Sequence, residues 1–171
     1  MVGLASGLVL GNLGFTHCSI EDIGILRSIP NISIVVPSDP FELFKTLDQA
    51  IEHKNSVYIR LTAGSNSKII NDKDYEFEIG KAVEIKSGED VSIIGCGNIL
   101  WNCLEAATVL KEKNIKCSVV NMHTVKPIDK EKVIELAKKH KLIVTVEEHN
   151  IIGGLGSAVA EVLAEDKNNC K

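Results

Sequence analysis

Short β-branched runs recur along this chain, and most are followed by a stretch in which apolar residues return every three or four positions. Runs of the first kind suit strands buried on both faces, and the second kind suits amphipathic helices. Ile32 to Val36 is such a run, and Pro37-Ser38-Asp39-Pro40 then turns the chain into a helix. Asp39 is suited to cap that helix and Pro40 to occupy its first turn. Phe41, Phe44, Leu47, Ala50 and Ile51 form one apolar stripe along it. Val57 to Leu61 returns as a strand. Upstream, the small apolar residues from Gly3 to Leu10 predict the tail of a packed helix, and Gly11 to Cys18 a loop. A further helix is predicted from Ser19, with Asp22 as the acid of a capping-box-like pattern, ending at Pro30.

Beyond a charged stretch, 66–90, in which Phe77, Ile79, Val83 and Ile85 alternate as in a modest strand or hairpin, the signals sharpen. Strands are predicted at Val91 to Gly95, Cys117 to Asn121 and Leu142 to Glu147. Helices are predicted at Ile99 to Lys113, Asp129 to His140 and Gly154 to Glu165. This alternation calls for right-handed crossovers and a parallel sheet covered on both faces, an α/β fold. The organisation expected is a partial parallel-sheet domain over 1–70 and a more nearly complete three-layer α/β domain over 71–171. No repeat of solenoid period is visible.

Composition narrows the function. The chain has 171 residues, enough for one large domain or two small ones, and its formal net charge is −4. No global basic field exists to attract nucleic acid, and the basic run 138–141 reads as the solvated end of a helix. No apolar run approaches the ~20 residues of a membrane span, and Met1 to Leu10 lacks the basic flank and cleavage pattern of a signal peptide. The five cysteines show no C-x-x-C spacing, so neither a zinc site nor a disulfide framework is expected, and the cytoplasm is the expected compartment.

Several segments could carry chemistry. Gly95-Cys96-Gly97-Asn98 and Gly153-Gly154-Leu155-Gly156 lie between strands and helices, where bare amides can hold an anion. The first reads more simply as a tight turn, since no dinucleotide fingerprint accompanies it. Glu147-Glu148-His149-Asn150 ends a strand; adjacent carboxylates there point to opposite faces, so loop anchoring and helix capping are the expected roles. The sharper signal is His17, in a loop ahead of a helix, a common setting for a working imidazole. Cys18 beside it makes a poor nucleophile partner, because adjacent side chains rarely face each other.

Read in order, Gly14-Phe15-Thr16-His17-Cys18-Ser19-Ile20-Glu21-Asp22, Ile25-Leu26-Arg27-Ser28-Ile29-Pro30-Asn31 and Val35-Val36-Pro37-Ser38-Asp39 resemble the G-P-T-H-x-x-I-E-D, L-R-x-I-P-N and V-P-x-D series of transketolase-type enzymes. Val125-Lys126-Pro127-Ile128-Asp129, Val146-Glu147-Glu148-His149 and Ile152-Gly153-Gly154-Leu155-Gly156-Ser157 resemble that family's C-terminal domain. The likeness covers nearly the whole chain. It is nearest to the C-terminal subunit of a split transketolase, with deoxyxylulose-phosphate synthase and 2-oxoacid dehydrogenase beta chains sharing the architecture.

The resemblance implies a thiamine-diphosphate-dependent transfer of a two-carbon ketol unit between phosphorylated sugars, the cofactor providing the carbanion chemistry. It implies that diphosphate and Mg²⁺ are held by an N-terminal partner, and that copies of the chain self-associate. By the same likeness, His17 lies near the aminopyrimidine and the substrate carbonyl, and Arg60 meets a sugar phosphate. Other cofactor contacts are not assigned, and no metal ligand is expected on this chain.

Three departures accompany the likeness. The family glutamate that drives ylid formation would precede Met1. A stretch is expected to be missing between Leu10 and Gly14. Leu13 and Ala63 stand where relatives often carry an aspartate and a second arginine. A rival reading follows, of a non-catalytic dimerisation or interaction module.

Overall fold

The computed structural model of the chain describes residues 1–62, 68–70 and 75–166. Its strands in chain order are β1 (Val2–Gly3), β2 (Ile32–Val35), β3 (Ser56–Arg60), β4 (Val83–Lys86), β5 (Val91–Gly95), β6 (Cys117–Asn121), β7 (Thr124–Lys126) and β8 (Leu142–Val146). The α-helices are α1 (Asp22–Arg27), α2 (Pro40–Glu52), α3 (Leu100–Glu112), α4 (Lys130–Lys139) and α5 (Leu155–Glu165). Two four-stranded sheets result, ordered β1-β3-β2-β7 and β4-β6-β5-β8. β1, β3 and β2 are mutually parallel, as are β6, β5 and β8, while β7 and β4 are antiparallel edges.

Alternation along the strands divides the core. In β5, Ile93 packs with α3 on one face and Ile94 with α4 and α5 on the other, which gives the second sheet its three layers. In β2, Val35 faces a cluster with Val57, Ile59 and Phe77, whereas Ile34 joins Ile94, Val120, Val125 and Leu155. That second cluster is continuous between the sheets. A strand seals the union: β7, from the second half of the sequence, pairs with β2, with Ile34 opposite Lys126 and Val35 opposite Thr124. Pairing continues where Val36 N–H donates to the carbonyl of His123 at 2.7 Å.

Four local expectations change. Residues 3–10 are not the tail of a helix; Val2–Gly3 pairs with β3, and Ser6 N–H donates to Leu61 O at 3.0 Å. α1 starts at Asp22 and not at Ser19, because Ser19 is held in an antiparallel bridge with Gly7 and the Asp22 carboxylate is drawn to Tyr58 and Arg60. The alternating stretch 77–85 forms strand only at β4; Phe77 and Ile79 instead cover the first sheet.

α2 shows the largest change. Its cap is as expected, with Asp39 accepting from Glu42 N–H at 2.9 Å and Pro40 in the first turn. Of its stripe, however, Phe41, Phe44 and Ile51 are 56%, 66% and 78% exposed, and Glu42 and Thr46 are buried instead. The reason is polar. Glu42 takes hydrogen bonds from Ser38 N–H at 2.6 Å, Tyr75 O–H at 2.5 Å and Asn121 Nδ2 at 2.7 Å, and this buried network fixes the helix's rotation. Ala50 and Leu43 alone bring apolar contact to that side.

Candidate active site

The carboxyl ends of the parallel strands of both sheets converge, and Arg60, the last residue of β3, sits where they meet. Its side chain is almost fully buried. Nε donates to Asp22 Oδ2 at 2.8 Å, and Nη2 donates to the carbonyls of Ser19 and Glu148, each at 2.9 Å. Asp22 Oδ2 also accepts from Tyr58 O–H at 2.8 Å. Burial works to raise the Asp22 carboxyl, but Arg60 and Tyr58 outweigh it and hold the group below its ordinary value. Burial, then the bond to Asp22, pushes the Tyr58 hydroxyl up to about 12. Arg60 thus ties together the loop after β1, helix α1 and the strand end after β8.

His17 stands outside this knot. It ends a short 3-10 turn, Phe15–His17, within the loop that leaves the carboxyl end of β1. The residue is exposed, and its Nδ1 lies 3.0 Å from Thr16 Oγ1. The loop is secured at its base: Ser19 O accepts from both Gly7 N–H (2.8 Å) and Arg60. Ile20 O accepts from Asn150 N–H at 3.0 Å and from Asn150 Nδ2 at 2.7 Å. An exposed imidazole on a firmly anchored loop is placed to meet a ligand from outside the chain.

The 147–150 cluster plays the anchoring part expected of it. Glu147 accepts from Leu155 N–H at 2.6 Å and Gly156 N–H at 2.9 Å, capping α5 with its carboxylate. His149 Nδ1 lies 2.7 Å from Asn150 O, which fixes the proton there; Nε2 then accepts from Gly24 N–H at 3.2 Å. Gly24 and Gly153 make this contact possible: a Cβ on Gly153, at φ 75°, would lie 2.8 Å from Gly24 Cα. Burial raises the Glu148 carboxyl above its usual value, against the pull of Arg60 and Leu8 N–H.

Sequence reasoning missed Tyr58, Asp22 and Gly24 as members of this junction. The only signal was a tyrosine and an arginine two positions apart on an apolar strand, which places them on one face. Leu13 lies exposed in the turn before His17, and Ala63 falls outside the described residues. Gly97 is a tight turn at φ 72°. Among the described residues, no group of three or more His, Cys, Asp and Glu side chains is placed to hold a metal ion, and no helix is long and apolar enough to cross a membrane.

Comparison with known proteins bears on this arrangement. Residues 1–67 match the transketolase pyrimidine-binding domain and residues 80–169 the transketolase C-terminal domain. One of the subunits of the apulose-4-phosphate transketolase of Actinobacillus succinogenes is 42% identical over 165 residues, 96% of this chain and 53% of that protein. A putative transketolase C-terminal section of Methanocaldococcus jannaschii is 40% identical, over all of this chain and 54% of its own length. A solved structure described as a split gene transketolase, an inactive beta4 tetramer, superposes with a TM-score of 0.86 at 38% identity, covering 97% of this chain and 53% of its own. The 1-deoxy-D-xylulose-5-phosphate synthase of Desulfitobacterium hafniense strain DCB-2 is 34% identical over 92% of this chain and 25% of that protein. The chain spans about half the length of the first three relatives. Alignment with the Methanocaldococcus protein takes 173 positions for the whole 171-residue chain, which leaves no room for a long stretch missing between Leu10 and Gly14. That expectation is corrected; the loop is short in the relative as well.

Proposed function

Since the chain belongs to the transketolase family, whose pyrimidine-binding and C-terminal domains it matches in order, we propose that it is the C-terminal section of a split thiamine-diphosphate-dependent transketolase. It transfers a two-carbon ketol unit between phosphorylated sugars, together with an N-terminal partner. The observation that supports this most directly is the exposed His17, presented on an anchored loop at the carboxyl end of the first sheet. Thiamine diphosphate, when bound, supplies the electron sink for carbanion chemistry. As the family resemblance implies, the diphosphate and Mg²⁺ are assigned to the partner, and this chain contributes one wall of a shared site.

On that wall, His17 hydrogen-bonds the oxyanion that develops at the substrate carbonyl, or moves a proton there. The knot of Arg60, Asp22 and Tyr58 holds the base of its loop. Arg60 also carries the proposal of a phosphate contact, which its internal bonds make testable by substitution. Copies of the chain meet through exposed apolar faces, and the stripe of α2 is one of them. A non-catalytic module remains the rival, and a single set of variants decides between them.

The expected outcome is that the chain alone shows no micromolar affinity for thiamine diphosphate with Mg²⁺ by calorimetry. Combined with its N-terminal partner, it gains ketol transfer, and His17→Ala then lowers turnover about 10²–10³-fold while cofactor affinity and melting temperature hold. His149→Ala, which removes a bond to α1, lowers melting temperature instead. If His17→Ala turns over normally and His149→Ala does not, the active site lies at the 147–150 strand end.

A further inference from the structure

The far end of the second sheet, away from His17, carries a cavity of about 360 Å³ that the proposed catalysis leaves unused. Its walls come from the loop between β4 and β5, the start of β6, and the last turns of α3 and α4. Four lysines border it, Lys86, Lys111, Lys116 and Lys139, with Glu89 as the one carboxylate. In a chain of formal net charge −4 this is a local excess of positive charge.

Helix dipoles account for part of it. Lys111 lies in the last turn of α3 and Lys139 in that of α4, where a cation is favoured in any protein. They do not account for Lys86, on edge strand β4, or for Lys116, in the turn before β6. Lys116 is 3.8 Å from Glu89, a loose pair on exposed side chains, and Lys139 is 3.8 Å from the half-buried Glu84, which Lys132 engages more closely at 3.1 Å. Among the described residues, the side-chain ammonium groups of Lys86 and Lys111 make no ion pair or hydrogen bond.

The cavity's wall is built and not loose. A Cβ on Gly88 would lie 2.2 Å from the backbone carbon of Cys117, so the loop is pressed against the start of β6 as only glycine allows. Glu89 and Asp90 N–H both donate to Lys116 O, at 3.1 and 2.9 Å, and Lys116 N–H returns a bond of 2.7 Å to the Asp90 carboxylate. The buried His140 ring lies 3.1 Å from Gly88 O on one side and 3.1 Å from Leu136 O on the other. The floor is apolar, with Ala107 fully buried and Cys117 nearly so.

From these observations we infer that this cavity is a second binding site, for a small phosphorylated metabolite whose phosphate meets the lysine ammonium groups and whose body lies along the lysine stems and the Ser87–Gly88 backbone. Its volume falls at the small end of ligand pockets, which suits a nucleoside monophosphate and leaves a bare phosphate poorly enclosed. β5, β6 and β8 are parallel and run from this end to the other, so the cavity is roughly five residues of strand, about 17 Å, from the Arg60 junction. The two sites are separate, and a ligand here is an effector and not a substrate.

The test uses the whole chain and adenosine monophosphate, with inorganic phosphate as the second arm. Calorimetry at low ionic strength should give saturable binding of the nucleotide, with Kd below about 1 mM, and markedly weaker binding of inorganic phosphate. Lys86→Gln with Lys111→Gln should weaken nucleotide binding at least about tenfold while leaving the melting temperature in place. Lys138→Gln, outside the cavity, and His17→Ala, in the proposed active site, should leave it unchanged. Absence of saturable nucleotide binding overturns the inference, as does binding that the double variant does not weaken. Binding lost in His17→Ala would place the nucleotide in the catalytic site and overturn it equally.

Discussion

Substituting Arg60 separates an interior role from a bound phosphate. Its guanidinium joins Asp22, Ser19 and Glu148, so Arg60→Ala leaves a buried carboxylate without its cation and should cost about 3–5 kcal/mol. Chemical denaturation reads that loss directly. Arg60→Lys keeps charge but not the fork. If a sugar phosphate is also met, the lysine variant should raise KM for phosphorylated substrates in the assembled enzyme beyond what its stability loss explains; an unchanged KM assigns Arg60 to the interior alone. His123 makes a second case. It is fully buried, stacked on Phe77 with ring centroids 4.3 Å apart, and burial drops its pKa to about 4. An unfolded histidine titrates near 6.5, so between about pH 6.5 and 4 the unfolded chain binds the additional proton and stability falls as pH falls. Glu42, raised by burial, acts oppositely, gaining stability as pH falls. Subtracting the unfolding profile of His123→Gln from that of the parent isolates the histidine. Their difference should shrink by up to about 3 kcal/mol from pH 7 to pH 4. A pH-independent difference would contradict a neutral buried ring.

At the scale of elements, α2 shows where sequence pattern stops informing. Its boundaries and cap were readable, because Asp39 and Pro40 act locally. Its rotation was not, because Glu42's partners Tyr75 and Asn121 lie 33 and 79 residues away. The β5–β8 crossovers were legible for the same reason that the cap was: each strand and helix carries its own period. β7 left no such signal, being three residues long. The site divides in the same way. His17 is proposed from a motif in contiguous sequence, whereas the junction of Arg60, Asp22 and Glu148 exists only after both sheets have met. The exposed stripe has its own test. If copies associate through it as proposed, Phe44→Lys with Ile51→Lys should weaken that association at least about tenfold in sedimentation, with helix content retained. Association that persists undiminished places the contact on another face.

At the scale of the whole molecule, the two halves are interlocked by a strand, an apolar cluster and an arginine. Interlocking has a consequence in time. A ribosome releases β2 long before it makes β7, because about ninety residues separate them. At about 5–20 residues per second, β2 waits on the order of 5–20 seconds before its edge is covered. Until then the nascent first sheet offers open backbone groups to any neighbouring chain. Fast decoding between these two strands, or a chaperone that reads the exposed β2 edge, would shorten or guard that interval, and the yield of folded protein should follow it.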